Sequence, residues 1–193
     1  MKLIFATNNR HKVEEMQSAI GNAFQLITLQ EAGIDIDIPE PHPTLEANAT
    51  EKSQTIYRLT GIDCFSEDTG LETEALNGEP GVKSARYAGE DKSPEMNMQK
   101  LLSRLEPHIN RKARFRTVIS LILGGKESLF EGICEGRIET APRGSGGFGY
   151  DPLFTPDGAS ATFGEMTLEE KSRYSHRRRA ADQLVLFLQH SSL

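Results

Sequence analysis

The chain has 193 residues, a formal net charge of −6 and a sequence pI of about 5.4. This length is sufficient for one domain with its own core or for two closely packed lobes. The acidic balance excludes a protein-wide positive field for nucleic acid or anionic membranes, so any nucleotide site has to be basic locally.

The sequence predicts neither a signal peptide nor a membrane helix, and it predicts no disulfide. Met1 leads at once into a strand-like run, and no apolar run approaches the ~18 residues of a membrane helix. Cys64 and Cys134 lie in apolar, strand-like contexts and are interpreted as small buried hydrophobes with reduced thiols. We therefore expect a cytoplasmic protein that binds neither membranes nor nucleic acid.

Hydrophobic periodicity and turn residues predict alternating strands and helices in the first half of the chain. The predicted elements are a strand over residues 2–6, a helix ending at Gly21, a strand over 26–29, a helix over 45–59 closed by Gly61, and a short strand at Cys64 and Phe65. This short strand is expected to deliver Glu67 and Asp68 to its end, with their side chains pointing to different sides.

The second half of the chain contains a predicted helix over residues 96–105, followed by two strands over 115–123 and 128–138. The strands flank Gly124 and Gly125, which indicates a long hairpin. Early alternation of helices and strands with a late hairpin predicts an α/β fold with a mixed sheet.

The C-terminal helix carries cations where its dipole disfavours them. Thr167 and Glu170 have the spacing of a capping box and predict an earlier helix start. Ser175 is a suitable second N-cap, because an apolar face follows at Ala181, Leu184, Val185 and Leu188. His176 and Arg177 then lie in the first turn, so we expect them to face a ligand. The alternative is a solvated basic patch, which is our interpretation of Arg178 and Arg179.

Residues 144–154 (GSGGFGYDPLF) combine glycines, aromatic rings and an aspartate in a segment unsuited to a helix or strand. Glycines such as Gly149 permit positive φ and close approach of a ligand to the backbone. Phe148 and Tyr150 can offer flat apolar faces, and Asp151 can accept hydrogen bonds from ring N–H groups. The segment therefore predicts a site for a heterocyclic base, although a glycine-rich hairpin loop is the alternative.

A polar turn follows the first strand and leads into the first helix. It consists of Thr7, Asn8, Asn9 and Arg10, followed by His11 and Lys12. Free N–H groups at a helix start favour anions, and a lysine adds a point charge, so the turn predicts a phosphate site. It is not a Walker A loop, because the glycines and the Gly-Lys-Ser/Thr ending are missing.

Almost the whole chain resembles the inosine triphosphate pyrophosphatase family, which hydrolyses noncanonical purine nucleoside triphosphates to monophosphate and pyrophosphate. The resemblance rests on residues 144–154 and 165–177 together with four further segments: 6–12 (ATNNRHK), 44–52 (TLEANATEK), 66–74 (SEDTGLETE) and 80–90 (PGVKSARYAGE). It implies a single pyrophosphatase domain over residues 1–193, an elongated two-lobed α/β fold with the active cleft between the lobes, and a homodimer.

The resemblance also implies the catalytic chemistry. It assigns Asp68 as proton acceptor and metal ligand. Glu67 and Glu40, the latter from a Pro-flanked loop, are further candidate carboxylates for Mg²⁺, which prefers oxygen ligands. The family commonly has aspartate where this chain has Glu67. Lys52 is expected to place a cation over the triphosphate, and Thr69 to contact it as well. Neighbouring carboxylates are usually only solvated surface, which is the alternative for Glu67 and Asp68.

Base selection follows from hydrogen-bond polarity. Hypoxanthine and xanthine present a 6-oxo acceptor and a ring N–H donor, whereas adenine reverses both. His176, Arg177 or backbone N–H groups can donate to the oxo group, as can Lys171 if it also reaches the base. Asp151 can accept from an N–H, and such a site can discriminate against adenine by ~10⁴-fold. The alternative functions are a nucleotide sensor without hydrolysis and a house-cleaning pyrophosphatase for other modified nucleotides; the acidic balance argues against a nucleic-acid-binding module.

Overall fold

A computed structural model describes residues 1–191 and shows an α/β protein. Its strands are β1 (Lys2–Phe5), β2 (Gln25–Thr28), β3 (Cys64–Thr73), β4 (Pro80–Gly81), β5 (Lys112–Leu123), β6 (Lys126–Ile138) and β7 (Phe154–Pro156). Its α-helices are α1 (Arg10–Ile20), α2 (Leu45–Thr60), α3 (Pro94–Leu105), α4 (Leu168–Ser172) and α5 (His176–Ser191).

The strands form one mixed sheet in the order β2-β1-β3-β5-β6-β7, with β4 paired to β3. β1 runs parallel to both β2 and β3, whereas β4 is antiparallel to β3 and β7 is antiparallel to β6. The predicted α/β fold with a mixed sheet is therefore confirmed.

The chain divides into two compact units. The first unit contains residues 1–68, 117–132 and the segment from Arg177 onward, and the second contains residues 69–116 and 133–176. β3, β5 and β6 each pass from one unit to the other. The predicted active cleft between two lobes and the single domain over residues 1–193 remain predictions, and Ser192 and Leu193 lie outside the described residues.

Each unit has its own apolar core. In the first unit Phe5 stacks on Phe65 with ring centroids 4.5 Å apart, and the apolar face of α5 packs against the same cluster through Ala181 and Leu184. In the second unit α3 packs beside Phe115 and Phe154. The burial of Cys64 and Cys134, which are 0 % and 1 % exposed, confirms that both are small buried hydrophobes.

Capping residues explain where the helices begin and end. α2 begins after Thr44, whose side chain accepts from the Ala47 N–H, and ends at Gly61 with φ +66°. The capping box of Thr167 and Glu170 begins α4, and α5 begins directly after Ser175, as predicted. None of the helices in residues 1–191 combines the length and apolarity that crossing a membrane requires.

One prediction about β3 is wrong. The strand does not stop at Phe65 but continues to Thr73, so Glu67 and Asp68 lie inside the strand rather than at its end. The polar residues after Phe65 have weak strand propensity, but tertiary contacts override local propensity where side chains are well partnered. The prediction that Glu67 and Asp68 point to different sides is unaffected, because neighbours within a strand face opposite sides.

Candidate active site

The two adjacent carboxylates of β3 face opposite sides of the strand, and both are buried. Glu67 is 1 % exposed and Asp68 is 6 % exposed. Burying a carboxylate is costly unless it is paired, so each side of the strand has to supply its own cation. Arg177 and Lys12 form ion pairs with Glu67, and Lys52 forms the ion pair with Asp68.

Arg177 and Lys12 neutralise Glu67. The guanidinium donates from Nε to Oε2 at 2.7 Å and from Nη2 to Oε1 at 2.9 Å, a bidentate arrangement. Lys12 Nζ lies 3.3 Å from Oε1, and Arg177 also forms an ion pair with Glu15. Burial alone raises the pKa of Glu67, but Arg177 and Lys12 outweigh it and hold that pKa at about 2.

Lys52 joins Asp68 to Glu40. Its ammonium donates to Asp68 Oδ1 at 3.2 Å and to Glu40 Oε1 at 2.5 Å. Burial opposes the charge on Lys52, but the two carboxylates outweigh that cost and raise the pKa of its ammonium. Burial outweighs the nearby Lys52 and Lys12 at Asp68 and keeps its pKa above the usual value. The carboxylates of Asp68 and Glu40 are thus arranged around one positive charge.

An extended segment brings Glu40 to this position. Ile34, Ile36 and Ile38 alternate with exposed residues, and all three pack against the core cluster formed by β1 and α2. Asn8 Nδ2 donates to the Ile36 carbonyl at 2.9 Å, which ties the segment to the turn before α1. The side chain of Asn8, predicted to contact substrate, therefore has a role within the protein.

The predicted phosphate turn begins α1 as expected. Asn9 is the N-cap and accepts from the Lys12 N–H at 3.2 Å, while its own N–H donates to Thr7 Oγ1 at 3.1 Å. Arg10 lies at the surface, with 89 % of its side chain exposed, and pairs with Glu14 at 2.9 Å. His11 is also largely exposed, on the same turn. The turn thus presents a helix start and three basic side chains in the first unit.

The predicted base site lies in the second unit and contains a further buried ion pair. Lys171 Nζ donates to Asp151 Oδ2 at 2.6 Å, and the Phe148 N–H donates to the same oxygen at 2.8 Å. Lys171 Nζ also lies 5.1 Å from the Phe148 ring centroid. Gly147 has φ +69°, and a Cβ there would lie 2.0 Å from Asp151 Oδ2, so this loop position requires glycine.

His176 belongs to the same unit and stacks on Phe115, with ring centroids 4.7 Å apart and an interplanar angle of 17°. Tyr150 differs from the expectation that it presents a ring to a base. It is 4 % exposed in the core of this unit, and its hydroxyl donates to the Ser84 carbonyl at 2.8 Å. Burial raises the pKa of Tyr150. Its observed role is to anchor the loop that carries Phe148, Gly149 and Asp151.

The predicted metal set is not brought together as a triad. Within the part of the chain that the structure describes, no three His, Cys, Asp or Glu side chains converge closely enough to hold a metal ion. Asp68 and Glu40 meet at Lys52, whereas Glu67 faces the opposite side of β3. The predicted role of Glu67 as a metal ligand stays a prediction, since the alternation of the strand turns it away from Asp68. Thr69 follows Asp68 in the same strand and is half-buried.

Glu15 is a charged partner that the sequence analysis missed. It follows Lys12 by three residues in α1 and therefore shares a face of the helix with it. The three-residue spacing in α1 therefore indicated that the side chains of Lys12 and Glu15 contribute to the same site. Its partner Arg177 is 162 residues away, and no local pattern reveals such a pairing.

The candidate site combines the start of α1, a lysine between buried Asp68 and partly buried Glu40, and the loop cluster of Asp151, Lys171 and Phe148. These groups fit the chemistry of a nucleotide-hydrolysing enzyme. The sequence profile of the Ham1 family matches residues 3–187, and the chain belongs to that family. The resemblance inferred from the sequence segments is thereby confirmed.

Close relatives carry a common name. The "dITP/XTP pyrophosphatase" of Flavobacterium johnsoniae is 48 % identical over 185 residues, which cover 96 % of this chain and 96 % of the relative. The "dITP/XTP pyrophosphatase" of Porphyromonas gingivalis is 49 % identical over 189 residues, with 97 % of each chain covered. The solved Ham1 protein of Staphylococcus aureus is similar with a TM-score of 0.89 and 36 % identity, covering 99 % of this chain and 100 % of its own.

Arg177→Ala is expected to destabilise the protein by about 3–5 kcal/mol, because removing one partner leaves buried Glu67 and Glu15 without their shared cation. Arg178→Ala is the matched control. Arg178 is half-exposed and pairs with Asp182 one turn away, so its loss should cost about 0.5 kcal/mol or less. Urea unfolding of the three proteins measures both effects, and equal midpoints for Arg177→Ala and wild type would contradict the role of this pair.

Proposed function

We propose that the chain is a nucleoside-triphosphate pyrophosphatase that hydrolyses ITP, dITP and XTP to the nucleoside monophosphate and pyrophosphate. The observation that carries this proposal is the buried Lys52 ammonium between Glu40 and Asp68, in a chain whose relatives are named dITP/XTP pyrophosphatases. In such an arrangement the ammonium can neutralise charge on a triphosphate, and the carboxylates can neutralise charge on a metal ion.

The pyrophosphatases of this family depend on a metal ion, and we propose that the metal in this protein is Mg²⁺. Asp68 and Glu40 fit this ion, because their oxygens already surround a positive charge and Mg²⁺ takes one or two carboxylates. Bound Mg²⁺ supplies charge neutralisation at the phosphoryl oxygens. Glu67 serves instead to hold Lys12 and Arg177 in place, since those cations occupy its surroundings.

Asp68 is assigned as the group that orients the attacking water and accepts its proton. Its carboxylate lies in a buried position where Lys52 fixes its direction. Lys52 in turn can release a carboxylate and contact a phosphate oxygen, because an ammonium has three donors. Lys12 and the N–H groups of the first turn of α1 are assigned to the triphosphate. The same assignment is proposed for Thr7, Asn8, Asn9, Arg10, His11 and Thr69.

The second unit is assigned to the base. The Lys171–Asp151 pair offers a donor and an acceptor side by side, which matches the 6-oxo group and ring N–H of hypoxanthine and xanthine. The Phe148 ring supplies an apolar face beside Gly149, and His176 is proposed as a further base contact. The base contact expected of Arg177 stays a prediction, because its guanidinium is buried in the first unit and bonded to Glu67 and Glu15. Tyr150 supports this loop from the core.

A nucleotide sensor is not favoured, because a sensor has no need of buried Asp68 and partly buried Glu40 around one lysine. A house-cleaning pyrophosphatase for other modified nucleotides differs only in the base that it accepts. We further propose, on the resemblance alone, a homodimer and a cytoplasmic location. A one-chain mass in light scattering at micromolar concentration would contradict the homodimer, and recovery of the native protein outside the cytoplasmic fraction would contradict the location.

The proposed reaction is tested by the products. Purified protein with Mg²⁺ is expected to convert ITP, dITP and XTP to the monophosphate and pyrophosphate, with ATP and pyrimidine triphosphates as controls. Anion-exchange chromatography separates the products. Orthophosphate with a nucleoside diphosphate would place the attack at the γ phosphorus and contradict the proposal, and a preference for a modified pyrimidine would favour the second candidate.

Asp68→Asn is expected to lower kcat for ITP by about 10²–10⁴-fold with a smaller change in nucleotide affinity, because it removes the proton acceptor while keeping the side-chain shape. Asp37→Asn, an exposed carboxylate on the segment before Glu40, is the control and should retain wild-type kcat. Near-normal kcat in Asp68→Asn would move the catalytic role to Glu40 or Glu67.

Lys171→Met is expected to raise KM for ITP and to narrow the preference for ITP over ATP, because it removes the predicted donor to the 6-oxo group. kcat at saturation should change little, since the base is remote from the reacting phosphorus. His176→Ala should act in the same direction, and the exposed Arg179→Ala should be silent. Steady-state kinetics with ITP and ATP measure these changes. An unchanged ITP-to-ATP preference in both Lys171→Met and His176→Ala would contradict their role and leave Phe148 and Asp151 as the base contacts.

A further inference from the structure

α2 contacts β3 through hydrogen bonds along a single row of the strand. Cys64, Ser66 and Asp68 alternate onto the same face of β3, and all three are buried. Cys64 Sγ donates to the Ser53 carbonyl at 3.2 Å, and Ser66 Oγ donates to the Ala49 carbonyl at 2.5 Å. Two backbone carbonyls inside a helix therefore accept hydrogen bonds from two side chains of one strand.

The spacing of these contacts matches the repeats of the two elements. Two residues of a strand advance about 6.6 Å, and four residues of an α-helix advance about 6.0 Å. The pairs Cys64–Ser53 and Ser66–Ala49 are therefore in register, with the strand and the helix running in opposite directions. Sliding α2 by one residue, about 1.5 Å, would break both hydrogen bonds, whereas apolar packing alone is non-directional and tolerates such a shift.

The next contact in the row is the ion pair of the candidate site. Lys52 precedes Ser53 in α2, and side chains on a helix lean toward its N-terminus, which is the direction of Asp68. Lys52 Nζ meets Asp68 Oδ1 at 3.2 Å, one strand repeat beyond Ser66. The position of the ammonium along β3 thus depends on the axial position of α2.

We propose that Ser66 is a positioning residue, whose hydroxyl holds α2 in the register that keeps Lys52 between Asp68 and Glu40. The inference rests on the proposed function, because Lys52 is a working group only in that reaction. Ser66 is 0 % exposed and its hydroxyl bonds the helix carbonyl, so it acts through Lys52 and not on a substrate. Ser53 and Ser120, whose hydroxyl oxygens are 2.7 Å apart, hold α2 against β5.

The test is a double-mutant cycle measured by the kcat for ITP. Ser66→Ala is expected to lower kcat roughly tenfold, because small displacements of a catalytic group have large effects on rate. KM for ITP should change less than about twofold, since the variant keeps the contacts that bind substrate and transition state equally. In a Lys52→Ala background, Ser66→Ala should have almost no further effect. Ser66→Thr keeps the hydroxyl and should restore most of kcat.

Thr60→Val is the matched control. The Thr60 hydroxyl also donates to a carbonyl of α2, that of Ile56 at 2.8 Å, but it makes this bond within the helix end and does not link α2 to β3. Loss of the Thr60 hydroxyl should leave kcat unchanged, even if it lowers the melting temperature.

Two outcomes would overturn the inference while leaving the proposed function intact. One is wild-type kcat in Ser66→Ala, and the other is an equal loss from Ser66→Ala in the presence and absence of Lys52, which would show a general structural role. A wild-type protein that releases no pyrophosphate from ITP would instead contradict the proposed function, and with it the inference.

Discussion

The alternation of side chains along β3 is the constraint on which the candidate site depends. Glu67 and Asp68 are adjacent in sequence, yet the strand turns them to opposite sides and buries both. Two buried carboxylates need two separate sets of cations. The elements of the first unit supply them, since α1 and α5 bring Lys12 and Arg177 to one side and α2 brings Lys52 to the other.

This separation gives the two carboxylates different chemistry. Glu67 accepts a bidentate guanidinium and a lysine, and its pKa is held at about 2, which suits a permanently charged structural group. Asp68 shares the ammonium of Lys52 with Glu40, and burial keeps the pKa of Asp68 above its usual value. A carboxylate that binds protons more readily suits proton transfer from water, and neighbouring groups with divergent pKa values are typical of acid–base sites.

Local sequence patterns predicted most of the framework and the identity of the charged residues. Caps and glycines located the ends of α1, α2 and α5, because those signals act within one helical turn. The partner of Arg177 could not be predicted, since Glu67 lies 110 residues away. The length of β3 was underestimated because the strand continues through its pairing with β4 and β5, which local propensity does not reveal. Tyr150 was assigned to a base because its sequence neighbours are loop residues, whereas its burial depends on the fold.

The division of labour between the two carboxylates is tested most directly by metal affinity. Mn²⁺ binding can be followed by the electron paramagnetic resonance signal of the free ion, in the presence of a non-hydrolysable ITP analogue. Asp68→Asn is expected to weaken Mn²⁺ binding by about tenfold or more, because it removes a metal ligand, and folded Glu67→Gln should bind Mn²⁺ within about threefold of wild type. Loss of Mn²⁺ binding in Glu67→Gln with retention in Asp68→Asn would contradict this account.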